Sequence, residues 1–157
     1  MDEREVADRL EIAGLLARYA RAVDAGEWDR LVEVFTADAV IDYRSAGGIA
    51  GGLEEVSAWL AAALAPWPGR LHLVGAPVID FTAADGDADA AAGTAAGTEA
   101  VVLAPFTDTL APSRTMLAAG AKGVCQGGGW YHHRMVRTAA GWRSRELVEE
   151  QTWRTIS

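Results

Sequence analysis

Lysine is almost missing from this chain of 157 residues: 13 of its 14 basic side chains are Arg, and 22 Asp and Glu bring the formal charge to −8. Phosphate binding needs a basic face, so the balance argues against a nucleic-acid partner. Cysteine is equally scarce. Cys125 stands alone, which excludes an internal disulfide and any zinc site built from several cysteines, and no basic neighbour marks it as a nucleophile. Long apolar runs are missing too, none approaching the roughly 18 residues that a membrane span requires. The first residues, MDEREVADRL, are charged where a signal peptide would be apolar. The expectation is a cytoplasmic chain with no membrane partner. What is present, 50% hydrophobic residues in 157, is enough for a single domain, 1–157, with a core of its own.

Ile12, Leu15, Leu16, Tyr19 and Val23 recur at helical spacing between Glu3 and Asp24, with Arg9, Glu11, Arg18 and Arg21 mostly off that stripe. The pattern predicts an amphipathic helix with one buried face. Gly26 supplies a left-handed stop, and Trp28, Leu31, Val34 and Phe35 predict a second short helix after a tight corner. Ala39–Tyr43 reads as a strand. A third helix is expected from about Leu53 to Ala65, ended by Pro66 and Pro68. Then the character changes: LHLVGAPVIDF, TEAVVLAPF, GGWYHHRMVRT and WRSRELVEEQTW are β-rich runs joined by turn-forming segments. Helices first and strands afterward predict an α+β fold with an antiparallel sheet. Thr82–Gly97 reads as a hairpin turn entering a small-residue strand, and Thr107–Gly123 as a longer connection.

The run YARAVDAGEWDRLVEVFTADAVIDYRS, Tyr19 to Ser45, resembles the opening of the scytalone dehydratase and bile-acid dehydratase branch of the SnoaL-like, NTF2-like superfamily. Three further matches keep that family's order: LHLVG with His72, the strand closing in Ala-Pro, and the last GW followed by a strand reaching Trp153. The resemblance covers nearly the whole chain. It implies a cone in which three N-terminal helices close over a strongly curved antiparallel sheet around a pocket.

Asp24 lies in the last turn of helix one, where the macrodipole disfavours a carboxylate by roughly 0.3 to 1 kcal/mol, so a solvated turn residue competes with one that has a partner. His72 alternates with Leu71 and Leu73 and faces away from both. By the resemblance, these two positions hold a catalytic Asp–His dyad: the imidazole accepts a proton near neutrality, and the carboxylate fixes its tautomer and stabilises the imidazolium. Tyr19 and Tyr43 align with tyrosines of the bile-acid dehydratase pattern, and a phenol can polarise a carbonyl or hold an enolate oxygen. Core packing is the competing reading of both. The scytalone enzyme has its helix-one tyrosine where this chain has Val23, which with Trp28 is a candidate substrate contact. His132 and His133 must point to opposite faces and cannot chelate together, so no metal is expected. Register with the family turns Tyr131, His133 and Met135 toward the cavity, with Leu147 and Glu149 on the same inner face of the last strand; a solvated strand-end residue is the competing reading of Glu149. The scytalone enzyme's second histidine falls on Phe106 and its substrate-holding asparagine on Tyr131, so scytalone itself does not suit this chain.

These readings lead to a cofactor-independent lyase or isomerase that removes a proton beside a carbonyl of an apolar cyclic, steroid- or polyketide-like substrate. A SnoaL-type polyketide cyclase, or a ligand-binding or assembly domain without catalysis, are the alternatives. The only other expected partner is a second or third copy of the chain, through the outer sheet face near Trp130, His132 and Val136.

Overall fold

Helix α1, Glu3–Ala25, begins where the Asp2 side chain accepts the Glu5 backbone N–H at 2.8 Å, with Glu3 and Glu5 in the first turn where the helix dipole favours acids. Its stripe of Ile12, Leu15, Leu16, Tyr19 and Val23 is buried. It ends at Gly26 in the left-handed conformation, φ 70°. The second short helix expected after this corner is a 3₁₀ helix, Trp28–Glu33. Three N-terminal helices are therefore two α-helices and this short coil. Strand β1 is Phe35–Asp42, β2 is Ala50–Gly52, and helix α2 is Leu53–Leu64, which buries Val56 and Leu60.

The computed structural model describes residues 1–82, 98–114 and 122–157. Beyond α2 lie β3 (Gly69–Val74), β4 (Val78–Thr82), β5 (Glu99–Ala111), β6 (Cys125–Thr138) and β7 (Gly141–Ile156). The hairpin expected at Thr82–Gly97 falls almost wholly outside the described residues, as does the middle of the Thr107–Gly123 connection. The near part of that connection is strand: β5 runs through Thr107 to Ala111. The sheet order is β2-β1-β7-β6-β5-β3, with β4 also on β5. All pairings are antiparallel except β1 with β7.

Strand β5 has two partners along one edge, β4 against Glu99–Leu103 and β3 against Phe106–Ala111. Register shifts between Gly128 and Gly129 and between Arg134 and Met135 bend the β6–β7 ribbon, which curls the sheet around α1. Its inner face carries the core. Its outer face leaves Val40, Leu71, Leu73, Val101, Trp130 and Val148 exposed.

Candidate active site

The C-terminal turn of α1 and strand β3 pack together, and Asp24 meets His72 there. The His72 ring Nδ1 lies 2.6 Å from Asp24 Oδ1, and the His72 backbone N–H donates to Asp24 Oδ2 at 2.9 Å. The two side chains are only 11% and 10% exposed. A carboxylate has no proton to give, so Nδ1 carries the hydrogen and Nε2 keeps its lone pair. The acid at the negative end of α1, unfavourable in isolation, has its partner in this ring and this amide.

His72 stands on the wall of a cavity of about 180 Å³. Around it are Val23 and Tyr19 from α1, Tyr43 after β1, Trp59, Leu60, Ala63 and Leu64 from α2, Phe106, Asp108 and Leu110 from β5, Tyr131 from β6, and Glu149 and Arg154 from β7. The hydroxyls of Tyr19 and Tyr43 are hydrogen-bonded to each other. Tyr131 is hydrogen-bonded to Tyr19 as well, so two bonds use two of the three hydroxyl hydrogens and one is left for a third group. Burial first, and the Glu149 charge second, push the Tyr19 hydroxyl far above its ordinary range, so it stays a neutral donor. Phe106 and Tyr131 stack at 4.1 Å with 12° between ring planes, and Trp59 leans on Tyr43 at 5.7 Å. The walls are aromatic and flat.

Several expected contacts lie elsewhere. His133, Met135 and Leu147 face inward but are not among the described lining residues of this cavity. They sit further along the strands, beyond Tyr131, in the packed core: His133 pairs with Val102 and Leu147, and Met135 with Ala100 and Ser144. His133 Nδ1 bonds Ser144 Oγ at 2.9 Å, and burial with the His132 charge drives its pKa down to about 3, so it is a neutral core residue. Trp28 is also off the cavity; it packs against the core with the Arg70 guanidinium 5.7 Å over its ring. His132 points outward and pairs with Glu150 at 2.7 Å. Among the described residues no group of three or more His, Cys, Asp or Glu is placed to hold a metal.

Glu149 does line the cavity, and burial followed by the Asp108 charge pushes it up to about 7 against the opposing pull of Arg154. Asp108 and Arg154 are residues that sequence reasoning missed. Asp108 is 4% exposed, and Arg154 Nη2 donates to its Oδ2 at 3.3 Å. Alternation along Phe106, Asp108 and Leu110, all inward, is the signal that finds Asp108 once β5 is known to continue.

Comparison with known proteins adds the lineage. The family model of the SnoaL-like domain matches residues 4–148. The uncharacterized protein Rv2910c of Mycobacterium tuberculosis (strain ATCC 25618 / H37Rv) is 34% identical over 153 residues, 97% of this chain and 90% of that one. The crystal structure of the Kfla4162 protein from Kribbella flavida superposes with a TM-score of 0.76 at 23% identity, over 95% of this chain and 93% of that chain. The hexachlorocyclohexane dehydrochlorinase LinA-type3 from Novosphingobium barchaimii LL02 gives 0.73 at 16% identity, over 100% and 94%. At such identities the two structures establish a shared fold. Among the described residues no helix is long and apolar enough to cross a membrane.

Proposed function

This chain belongs to the SnoaL-like domain family, and from that premise we propose that it is a lyase or isomerase using His72 as its base. The observation that carries the reading is the 2.6 Å bond from His72 to Asp24 on the wall of a cavity that also holds the paired tyrosine hydroxyls. His72 Nε2 takes a proton from the carbon beside a carbonyl. The C–H electron pair moves into an enolate, whose oxygen receives the free hydrogen of the linked tyrosines. The enolate then expels a β-hydroxyl, which leaves as water with the proton that His72 returns, or it is reprotonated at another carbon to give the isomer. A fold shared with a dehydrochlorinase, an enzyme of elimination by its name, agrees with the first course.

A cavity of about 180 Å³ encloses one six-membered ring, since roughly 150 Å³ accommodates benzene. A polycyclic substrate would place its reacting ring inside and extend the rest past the mouth. The test is proton exchange in deuterium oxide with 3-hydroxycyclohexanone, followed by NMR together with release of cyclohexenone. Wild-type protein should exchange and eliminate, and His72→Gln should lose roughly 10²- to 10⁴-fold. Exchange by the variant at the wild-type rate would remove His72 from the base role.

The apolar outer face, with Trp130, Val101 and Val148 exposed, supports self-association as a dimer or trimer. Sedimentation velocity at micromolar concentration should show a species of two or three chains; a monomer would refute it.

A further inference from the structure

Four residues lie at one level across four strands: His72 on β3 is opposite Asp108 on β5, Asp108 is opposite Gly127 on β6, and Gly127 is opposite Arg154 on β7. Directly opposed residues share a face, so His72, Asp108 and Arg154 all look into the cavity. Gly127 makes the row possible. A Cβ there would lie 2.7 Å from Asp108 Oδ1, 2.8 Å from Gln151 Nε2 and 3.1 Å from Arg154 Nη2, so the glycine leaves room for these side-chain ends to meet over β6.

Arg154 uses its reach on one side of Asp108 only. Its Nη2 donates to Oδ2, while its other contacts are Gln151 Oε1 at 2.7 Å and Cys125 Sγ at 3.2 Å. Asp108 Oδ1 is buried with no hydrogen-bond partner. A buried acceptor left so is unfavourable, the more so when charged, unless something else supplies the donor.

We propose that Asp108 is a substrate-binding residue whose Oδ1 accepts the hydrogen bond of a hydroxyl on a single-ring substrate. The inference rests on reading this cavity as the substrate site. A neutral donor fits better than an ammonium group, because Arg154 already offsets the Asp108 charge and His72 stands beside it. Glu149, pushed up to about 7 mainly by burial, carries only part of its negative charge near neutrality. The stacked rings of Phe106 and Tyr131 provide the flat wall against which such a ring lies. The substrate class is then a hydroxylated cyclic ketone or a phenol, gripped at the hydroxyl by Asp108 and approached by His72 from the neighbouring strand.

Phenol and its isostere toluene test this, because they differ in the hydroxyl and carry no carbonyl for the proposed chemistry to act on. Dissociation constants of both are measured by calorimetry on the full chain and on Asp108→Asn. In that variant the amide oxygen stays with Arg154 and the amide nitrogen turns to the cavity, so a donor meets a donor. The ratio of phenol to toluene affinity should fall about tenfold or more from wild type to Asp108→Asn, with hydration of the two probes cancelling between the proteins. Should Asp108→Asn fail to fold, Asp108→Glu, which displaces the oxygen by one methylene, serves as the second variant and should lower the same ratio. An unchanged ratio, or no binding of phenol to wild-type protein at millimolar concentration, overturns the proposal. Because neither probe can undergo exchange beside a carbonyl, this result stands apart from the proton-exchange experiment.

Discussion

Both oxygens of Asp24 are taken by one residue, Oδ1 by the His72 ring and Oδ2 by its backbone N–H. That arrangement makes Asp24→Asn informative. The backbone N–H needs an acceptor, so the amide oxygen stays there and the amide nitrogen faces Nδ1. The ring must then carry its proton on Nε2, the atom proposed to act as base, and the lone pair is lost to the cavity. Asp24→Asn should therefore cost roughly 10²- to 10⁴-fold in kcat/KM, close to the loss from His72→Gln, and the double variant should be hardly worse than either. Tyr43→Phe should cost less, about 10²- to 10³-fold in kcat, since Tyr19 remains to donate. Fully additive losses for Asp24 and His72 would mean that the two do not work as a unit.

At the scale of elements, much was legible because period and punctuation survive folding. The apolar stripe of α1, its stop at Gly26 and the span of α2 all follow from side-chain spacing and local backbone preference. The 3₁₀ character of Trp28–Glu33 did not, since six residues are too few for period to distinguish it from an α-helix. Alternation groups His133 and Met135 on one strand face and the family resemblance turns that face, with Leu147, inward, but neither tells how deep along the strand the cavity stops. The stacked pair Phe106 and Tyr131 belongs to its wall, a contact between strands that no local pattern encodes. Pro105 hid the rest of the site. A proline reads as the end of a central strand because it cannot donate to the ladder. Here it sits at the gap where β5 passes from β4 to β3, with its carbonyl taken by the Gly75 N–H at 2.8 Å, so no donor is required on that side. The strand continues, and Asp108, assigned by sequence to a connection, arrives in the cavity wall.

For the whole molecule, three buried groups set the response to acid, and their signs differ. Glu149 is raised from 4.5 to about 7, so between those values the folded chain binds the extra proton and stability falls as pH rises. His133 is lowered from 6.5 to about 3; there the unfolded chain binds the extra proton, and stability is lost as pH falls through that window. Asp8 lies below its ordinary value because hydrogen bonds from Arg137 and Trp142 outweigh the upward push of burial, and its contribution is lost only at the acid end. From about pH 4.5 to 6.5 the first two slopes oppose, each worth about 1.4 kcal/mol per pH unit when one proton is fully at stake. The wild-type stability should be nearly flat there and should drop steeply below pH 4.5, where Glu149 is already protonated in both states while His133 and Asp8 still pull toward unfolding. Glu149→Gln removes one of the opposing slopes. Its stability, measured by urea unfolding from pH 4 to 8, should climb with pH across the wild-type plateau, and a profile that stayed flat would mean that Glu149 does not hold its proton in the folded cavity.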